Sequence, residues 1–256
     1  MDSLDDIRIL LDRKVIDFNQ TNFIGTDPIQ IPSLFDTKEN IEIAGFLAAT
    51  LAWGQRPTII RNALNLVRLM NNNPIEFLLY TTEDEWEVFL SFKHRTFNGI
   101  DCLYFLKALR NIYQNHGGLE QVFTLGYQKE NSIFSALVYF RKVFFELDHP
   151  HRTEKHVSDV LKGASAKRLN MYLRWMVRSD QAEVDFGLWK QIPPSALMLP
   201  LDLHTGNVSR KLGLLIRTQN DWKAVEEITA RLREFDPADP IKYDFALFGL
   251  GVFEKF

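Results

Sequence analysis

Apolar side chains recur along this chain at the three- and four-residue spacing of amphipathic helices. The opening segment shows the pattern with Leu4, Ile7, Leu11, Val15 and Phe18, which share one helix face. Later segments repeat it: Ile60, Leu64, Val67 and Met70; Ile133, Leu137, Phe140 and Phe144; Leu169, Tyr172, Leu173 and Met176; Val225, Ile228 and Leu232. The sequence has no convincing run that alternates apolar and polar residues as a strand does. The pattern therefore predicts an all-α protein with roughly a dozen helices.

Capping and helix-breaking residues mark where these helices begin and end. Asp36 or Thr37 is suited to cap one helix, and Pro57 is suited to the first turn of the next. Asp236-Pro237 stops a late helix, and a last helix is predicted from about residue 240 to 252.

The connections between the predicted helices are short, and the sequence contains neither a flexible linker nor a repeat. We therefore expect residues 1–256 to form a single compact helical unit. Within it we expect two lobes, 36–165 and 1–35 plus 166–256. A cleft between two helical lobes is where a binding site commonly forms.

Composition narrows the class of protein. The chain has 256 residues, of which 46% are hydrophobic, so it can bury a sizeable core. Cys102 is the only cysteine, which excludes an internal disulfide and a cysteine-ligated iron–sulfur cluster. No window reaches the ~18 apolar residues of a membrane span. The N-terminus lacks the features of a secretion signal, so we expect a cytoplasmic protein.

The distribution of charge along the chain is more informative about a binding partner than the net charge of −3. Seven Lys or Arg residues lie between Arg152 and Arg178, against only Glu154 and Asp159. A local basic face on a mildly acidic protein is compatible with contacts to a phosphate backbone. An ordinary solvated helix face accounts for the same pattern.

Residues 161–169 form the first candidate segment of a catalytic or binding site. Gly163 and Ser165 precede a predicted helix, and small residues there let backbone N–H groups approach a phosphate. Lys167 would lie in the first turn, where the helix dipole disfavours its ammonium form. A lysine nucleophile needs this environment, because only the neutral amine attacks. A surface lysine is the simpler alternative for this segment alone.

Residues 199–214 contain the second candidate. Pro200 favours an extended approach to a helix that begins near Leu203. Asp202 is placed to cap that helix, and Gly213 is suited to end it. Capping explains Asp202 adequately. The same backbone N–H groups would also keep its carboxylate ionised, so that it could stabilise an oxocarbenium-like sugar.

These two segments resemble motifs of the helix-hairpin-helix base-excision DNA glycosylases. Leu161-x-Gly163-x-Ser165-x-Lys167 is similar to the L-P-G-V-G-R-K hairpin of the endonuclease III group. The residues from Pro200 to Gly213 are similar to that group's V-D-T-H-x-x-R-V segment. Leu51-Ala52-Trp53-Gly54-Gln55 is similar to its L-L-S-A-Q helix end, and the closing Phe248-Gly249-Leu250-Gly251 follows in the same order.

The chain most resembles an uncharacterised bacterial family within this superfamily. Members of that family share K-R-L-N-M-x-L-R-W-M-V-R, found here at 167–178, and D-P-x-K-Y-D-F-A-L-F-G-L-G, found at 239–251. The resemblance implies a two-lobed fold with a cleft, and double-stranded DNA with a damaged or abasic site as partner. We expect no cofactor, because the cysteines that hold the iron–sulfur cluster of endonuclease III are absent here.

The resemblance also implies roles for particular residues. Lys167 would attack the sugar C1′, and Asp202 would activate it. Gln55 would fill the gap left by a flipped base, because the glycosidic bond is not reachable inside the stack. Gly163 and Ser165 would hold phosphate. Further DNA contacts are expected from Arg56, Lys162, Arg168, Arg174, Arg178, His204 and Arg210.

The chain departs from the family pattern in the hairpin and in the spacer. The hairpin's proline is Lys162 here, and its second glycine is Ser165, so the motif is degenerate. The stretch between Lys167 and Asp202 is longer than in endonuclease III and more like the archaeal 8-oxoguanine glycosylase branch. For a sugar to fit between these two side chains, we expect them to be roughly 5–8 Å apart.

Three alternative functions remain open on the sequence. A catalytically inactive protein of the same fold would bind lesions or unusual DNA structures. A helical scaffold would have no DNA role. A metal-dependent hydrolase would use a cluster of four potential ligands: His149, His151, His156 and Asp159.

Overall fold

The computed structural model describes residues 3–256, and it is predominantly helical. In chain order the α-helices are α1 (Leu4–Phe18), α2 (Lys38–Leu51), α3 (Arg56–Leu69), α4 (Pro74–Tyr80), α5 (Gly99–Asn115), α6 (Leu119–Glu130), α7 (Ile133–Phe144), α8 (Lys167–Val177), α9 (Leu203–Lys211), α10 (Trp222–Phe235) and α11 (Tyr243–Val252). Short 3-10 helices span Thr21–Thr26, Pro28–Gln30, Pro32–Leu34, Asp84–Ser91, His151–His156, Val160–Lys162, Pro194–Ala196 and Pro240–Lys242. The prediction of an all-α fold is confirmed.

The predicted helix ends agree closely with the structure. Thr37 is the N-cap of α2, and Pro57 lies in the first turn of α3. Helix α10 ends immediately before Asp236. The last helix is divided, because a 3-10 turn at Pro240–Lys242 precedes α11. Within residues 3–256, no helix is both long and apolar enough to cross a membrane.

One small antiparallel hairpin interrupts the helical chain. Strands β1 (Lys93–His94) and β2 (Phe97–Asn98) pair with His94 opposite Phe97. Arg95 in the turn has a φ of 56°, which is the left-handed region. Two residues per strand are too few to produce a recognisable alternation, so the sequence did not reveal this hairpin.

The chain forms two compact units. One unit contains the chain up to Gly25 together with Val160–Phe256, and the other contains Thr26–Asp159. The Thr26–Asp159 unit has an aromatic core in which Phe46 packs edge-on against Phe140 at 5.5 Å between ring centroids. Phe123 stacks on Phe140 at 4.4 Å. Such ring pairs contribute about 0.5–1.5 kcal/mol beyond their buried area.

The other unit is built around helix α11. Helices α1 and α9 pack on it, and a Cβ at Gly249 would lie 2.1 Å from the Phe18 ring. Phe245 packs edge-on against Phe23 at 5.5 Å between ring centroids. Every residue of α8 from Leu169 to its end is buried. This unit carries both the hairpin segment around Gly163 and the Asp202 segment.

Candidate functional site

The hairpin segment leads directly into helix α8. Gly163 has a φ of 83°, and a Cβ added there would meet no atom within 4 Å. Its carbonyl accepts a hydrogen bond from the backbone N–H of Trp222 at 2.9 Å, and Ala164 forms an isolated β-bridge with Asp221. Helix α8 begins at Lys167, as predicted. The element before the hairpin is only the 3-10 turn Val160–Lys162, so the motif has a full helix on one side alone.

Asp202 caps helix α9, as its sequence context predicts. Its Oδ1 accepts from the backbone N–H of Thr205 at 3.0 Å, and its own N–H donates to the Thr205 hydroxyl at 2.8 Å. This reciprocal capping box satisfies two backbone donors and holds the carboxylate in one orientation. Gly213 follows the helix with a φ of 71°, which is the predicted helix-ending conformation.

Lys167 and Asp202 face each other across the starts of two helices. The Lys167 Nζ and the Asp202 Oδ2 are 3.7 Å apart, and the side chains are 29% and 20% exposed. The expected gap of roughly 5–8 Å is therefore wrong, because the ammonium and the carboxylate form a direct ion pair. A sugar would have to open this pair to occupy the space between them.

A loop after helix α9 ties the Asp202 segment in place. The Asn220 amide donates to the Asp202 carbonyl at 3.0 Å and accepts from the Arg210 Nη2 at 2.6 Å. The Arg210 Nε donates to the Arg217 carbonyl at 2.8 Å. Gly206 leaves space for the Asn220 side chain, since a Cβ at this position would lie 2.8 Å from the Asn220 Oδ1. Arg210, expected at DNA, therefore holds this loop with two of its donors.

The same loop also holds the hairpin. Asp221 forms an ion pair with Arg217, caps helix α10 and bridges to Ala164. The hydrogen bond from Arg217 is the main cause that lowers the pKa of Asp221 to about 2. Asp221 is therefore ionised at neutral pH. The loop that contains these residues is thus connected to both sides of the Lys167–Asp202 pair.

Arg174 and Arg178 require a correction, because both were expected to contact DNA. They are only 4% and 2% exposed. The helical spacing does put them on the Lys167 face of α8, but that face points inward towards carboxylates. Arg174 bonds to Asp185 at 3.2 Å and to Asp244 at 2.5 Å.

Arg178 continues this buried network. Its guanidinium bonds to Asp180 at 2.6 Å, Asp185 at 3.1 Å and Asp239 at 2.9 Å. Burial opposes the charge of Arg178, but the carboxylates of Asp185 and Asp239 outweigh burial and raise its pKa. These two arginines therefore stabilise the interior and are not available to a phosphate backbone.

Asp244 connects the buried network to the Lys167–Asp202 pair electrostatically. It lies in the first turn of α11 and is 6% exposed. Burial is the main cause that raises its pKa to about 6; Asp202 raises it further, and Arg174 and Lys167 lower it. Asp244 was not among the site residues predicted from the sequence. Its signal was a lone acid within an otherwise apolar run, which marks a buried, paired carboxylate.

The other predicted residues of this unit lie on or near the start of α8 and α9. Lys162 and His204 are exposed, and Ser165 is half-buried with its carbonyl accepting from Asn170 at 3.1 Å. Arg168 is half-buried, and burial lowers its pKa to about 10, so it stays a cation at neutral pH.

Gln55 and Arg56 belong to the Thr26–Asp159 unit, at the start of helix α3. Gln55 is the N-cap residue, its side chain is exposed, and it makes no capping hydrogen bond. Arg56 is half-buried in the first turn. The side chain of Gln55 is thus available to a ligand of this unit.

The proposed metal ligands interact with several partners, and His149 and His151 share one of them, Glu154, with His149 3.6 Å from its Oε1. His156 lies 3.2 Å from the buried Asp101, His149 bonds to the Leu147 carbonyl at 2.8 Å, and His151 pairs with Glu154 at 2.7 Å. Asp159 pairs with Arg141 at 3.6 Å. The part of the chain that the structure describes contains no group of three His, Cys, Asp or Glu side chains able to hold a metal. The metal-hydrolase alternative therefore has no site in the described residues.

Comparison with known families places the chain in a family of unassigned activity. Residues 27–253 match the family described as "Protein of unknown function (DUF2400)", and the chain belongs to this family. The matched range covers the hairpin, both members of the Lys167–Asp202 pair and the buried network. No curated protein and no solved structure matches the chain.

Proposed function

We propose that this protein is a DNA-binding base-excision protein, a DNA N-glycosylase with lyase activity, of the helix-hairpin-helix superfamily. The observation that carries the proposal is the 3.7 Å contact between the Lys167 Nζ and the Asp202 Oδ2. The two residues come from the two segments that resemble the superfamily's motifs. An amine and a carboxylate at one point are the groups that this reaction needs.

The chemistry assigns one role to each side chain. Asp202 accepts a proton from the Lys167 ammonium, and the free amine attacks the sugar C1′ as the glycosidic C1′–N bond breaks. The bonding electrons leave with the base, which takes up a proton. The C1′–O4′ bond of the sugar ring then breaks, O4′ takes up a proton that the attacking nitrogen loses, and the nitrogen and C1′ become a protonated imine. On an abasic site the amine condenses with the C1′ aldehyde and releases water. Loss of a C2′ proton then expels the 3′ phosphate.

The segment before α8 would bind the DNA backbone. Gly163 has open space where a side chain would project, so a phosphate can approach the backbone closely. Lys162 is exposed beside it, and the first turn of α8 adds the positive end of the helix dipole. These contacts would be independent of sequence, as phosphate contacts are.

Borohydride trapping on duplex DNA with an abasic site tests the proposal. Sodium borohydride reduces the imine to a stable protein–DNA adduct, which is resolved on a denaturing gel. Wild type is expected to form the adduct, and Lys167→Ala is expected to lose it. Lys162→Ala is the matched control, because it removes a nearby exposed lysine and should weaken DNA binding while retaining the adduct at saturating DNA. An adduct undiminished in Lys167→Ala would contradict the assignment.

One observation favours a second candidate, a protein that binds damaged DNA without cleaving it. The hairpin motif is degenerate, because Lys162 and Ser165 replace its proline and second glycine, and only the 3-10 turn Val160–Lys162 precedes it. In this case the protein would bind abasic DNA in a salt-dependent manner and form no adduct with any lesion. Trapping and binding assays on the same duplex distinguish the two candidates.

A further inference from the structure

The β1–β2 hairpin of the Thr26–Asp159 unit places the side chain of Arg95 on the ring of Trp53. The Arg95 guanidinium carbon lies 4.7 Å from the centroid of the Trp53 ring. Arg95 has a φ of 56°, a backbone conformation that non-glycine residues adopt at a cost of about 1–2 kcal/mol. Backbone strain of this kind persists only where the surrounding structure enforces it.

The neighbours of Trp53 hold this ring in a fixed position. His94 packs edge-on against it at 5.8 Å between ring centroids and is 1% exposed. The His94 Nε2 lies 3.2 Å from the Trp53 carbonyl, and its Nδ1 lies 3.0 Å from the Asn62 amide on α3. His94 therefore connects Trp53, on which Arg95 stacks, to the β1–β2 hairpin and to α3.

Gly54 leaves room for the guanidinium. It has a φ of 114°, and a Cβ there would lie 2.9 Å from the Arg95 Nη1. The guanidinium therefore lies against the Gly54 backbone as well as over the indole. Stacking and this close approach together restrict the orientation of its N–H donors before any ligand binds.

Arg95 differs from Arg110 and Arg174, which also stack on aromatic rings, because its guanidinium donors have no acceptor among the described residues. Arg110 stacks on Trp86 but donates to the carbonyls of Leu78 and Thr81. Arg174 stacks on Phe245 but pairs with carboxylates. Across residues 3–256, no acceptor hydrogen-bonds to the Arg95 guanidinium and no carboxylate forms an ion pair with it, although it is exposed. A stacked, exposed arginine with unused N–H donors is well suited to bind an anionic group of a ligand.

We propose that Trp53, Gly54 and Arg95 form a platform that binds a backbone phosphate of nucleic acid. The planar fork of arginine matches two oxygens of one phosphate, and stacking lowers the entropy lost on binding. Exposed Lys93 adds a second positive charge at the base of the hairpin. Gln55, whose side chain is exposed, follows Gly54 directly, so the phosphate platform adjoins a residue suited to contact bases.

This inference rests on the DNA partner of the proposed function and not on the chemistry of Lys167. Binding of the full-length protein to a fluorescent duplex with a tetrahydrofuran abasic analogue is measured by anisotropy over a series of salt concentrations. Arg95→Ala is expected to weaken binding about tenfold, as for a hydrogen bond to a charged group. It should also reduce the slope of log affinity against log salt by about 1.

Two further variants sharpen the test. Arg68→Ala removes an exposed cation from the last turn of α3 and is expected to leave affinity and slope close to wild type. Arg95→Lys keeps the charge, so the slope should stay while affinity falls, because the fork is lost. Melting temperatures of all variants verify that they fold.

Each outcome bears on one proposal or the other. Arg95→Ala with the affinity and slope of Arg68→Ala would overturn the platform, as would a wild-type protein that does not bind DNA. Tight binding that depends on Arg95, without any borohydride adduct, would support the platform and contradict the glycosylase proposal.

Discussion

Lys167 and Asp202 meet because each occupies the start of a helix, and one loop is connected to both helix starts. Lys167 is the first residue of α8, and Asp202 is the N-cap of α9. Asn220 binds the Asp202 carbonyl, and Asp221 bridges to the hairpin before Lys167. The 3.7 Å ion pair is thus fixed by backbone geometry at both ends and by the loop after α9.

Asp202 has a structural role and a proposed chemical role, which two substitutions separate. Asparagine caps helices about as well as aspartate, so Asp202→Asn should unfold at a denaturant concentration near that of wild type. Asp202→Ala loses the cap and should be less stable by about 1 kcal/mol. Both should lose the borohydride adduct, because neither keeps the carboxylate. Full adduct formation by a folded Asp202→Asn protein would show that the charge is not needed.

Arg174 is predicted to be a stability residue and not a DNA contact. Arg174→Ala leaves the buried carboxylate of Asp244 without its arginine and removes one of the two arginines that pair with Asp185, which should cost about 3–5 kcal/mol of unfolding free energy. Arg231→Ala is the control, because the Arg231–Glu234 pair is exposed and should contribute at most about 1 kcal/mol. Urea unfolding measures both. Equal, small losses in the two variants would contradict the buried network.

Asp244 should make stability depend on pH in an unusual direction. Its pKa is raised from the ordinary 3.8 to about 6, chiefly by burial, so the folded protein binds this proton more tightly than the unfolded chain. Its favourable contribution is complete below about pH 4 and is lost as the pH rises through about 6. The stability of wild type relative to Asp244→Asn should therefore fall across this window.

Asp236 is expected to show the opposite pH dependence of stability. Urea unfolding over a range of pH measures the contributions of both Asp244 and Asp236. Burial opposes its charge, but the hydrogen bonds from Lys242 and from the backbone of Asp239 and Ala238, together with the charge of Lys242, outweigh burial and lower its pKa. Its contribution is present above the unfolded pKa and is lost as the pH falls through the folded value. The stability of wild type relative to Asp236→Asn should therefore rise with pH. Parallel trends in the two variants would contradict the buried position of Asp244.

The stability lost on replacing Gly163 is predicted to come from its backbone conformation alone. Gly163→Ala meets no neighbouring atom, so its cost comes from a φ of 83° and should be about 1–2 kcal/mol. Gly25→Ala also enters open space but has no positive φ, so it should be neutral or slightly stabilising. Thermal unfolding compares the two. If both variants behave alike, conformational strain at Gly163 is not the cause.

Local patterns in the sequence predicted most of the helices and several of their ends. Pro57 and Asp202 act through the adjacent backbone, so their effects can be inferred from neighbouring residues alone. The meeting of Lys167 with Asp202 was different, because spacing along the chain does not determine which helix starts are neighbours. The proximity of the two residues was predicted from the resemblance to known motifs, but their direct contact at 3.7 Å was not.

Properties that depend on tertiary partners were predicted less well. Periodicity correctly grouped Lys167, Arg174 and Arg178 on one face, but whether that face meets water depends on carboxylates from distant segments. Asp185 and Asp244 turn it into an interior face. The same limit applies to Arg95, whose position over Trp53 depends on a hairpin too short to leave a sequence pattern.

The most direct test of the central claim is to identify the residue that carries the trapped sugar. Wild-type protein is reacted with abasic duplex DNA and borohydride, the DNA is digested, and the peptides are sequenced by mass spectrometry. We expect the reduced sugar remnant on Lys167. A remnant on Lys162 or on another amine, or DNA binding with no remnant at all, would contradict it.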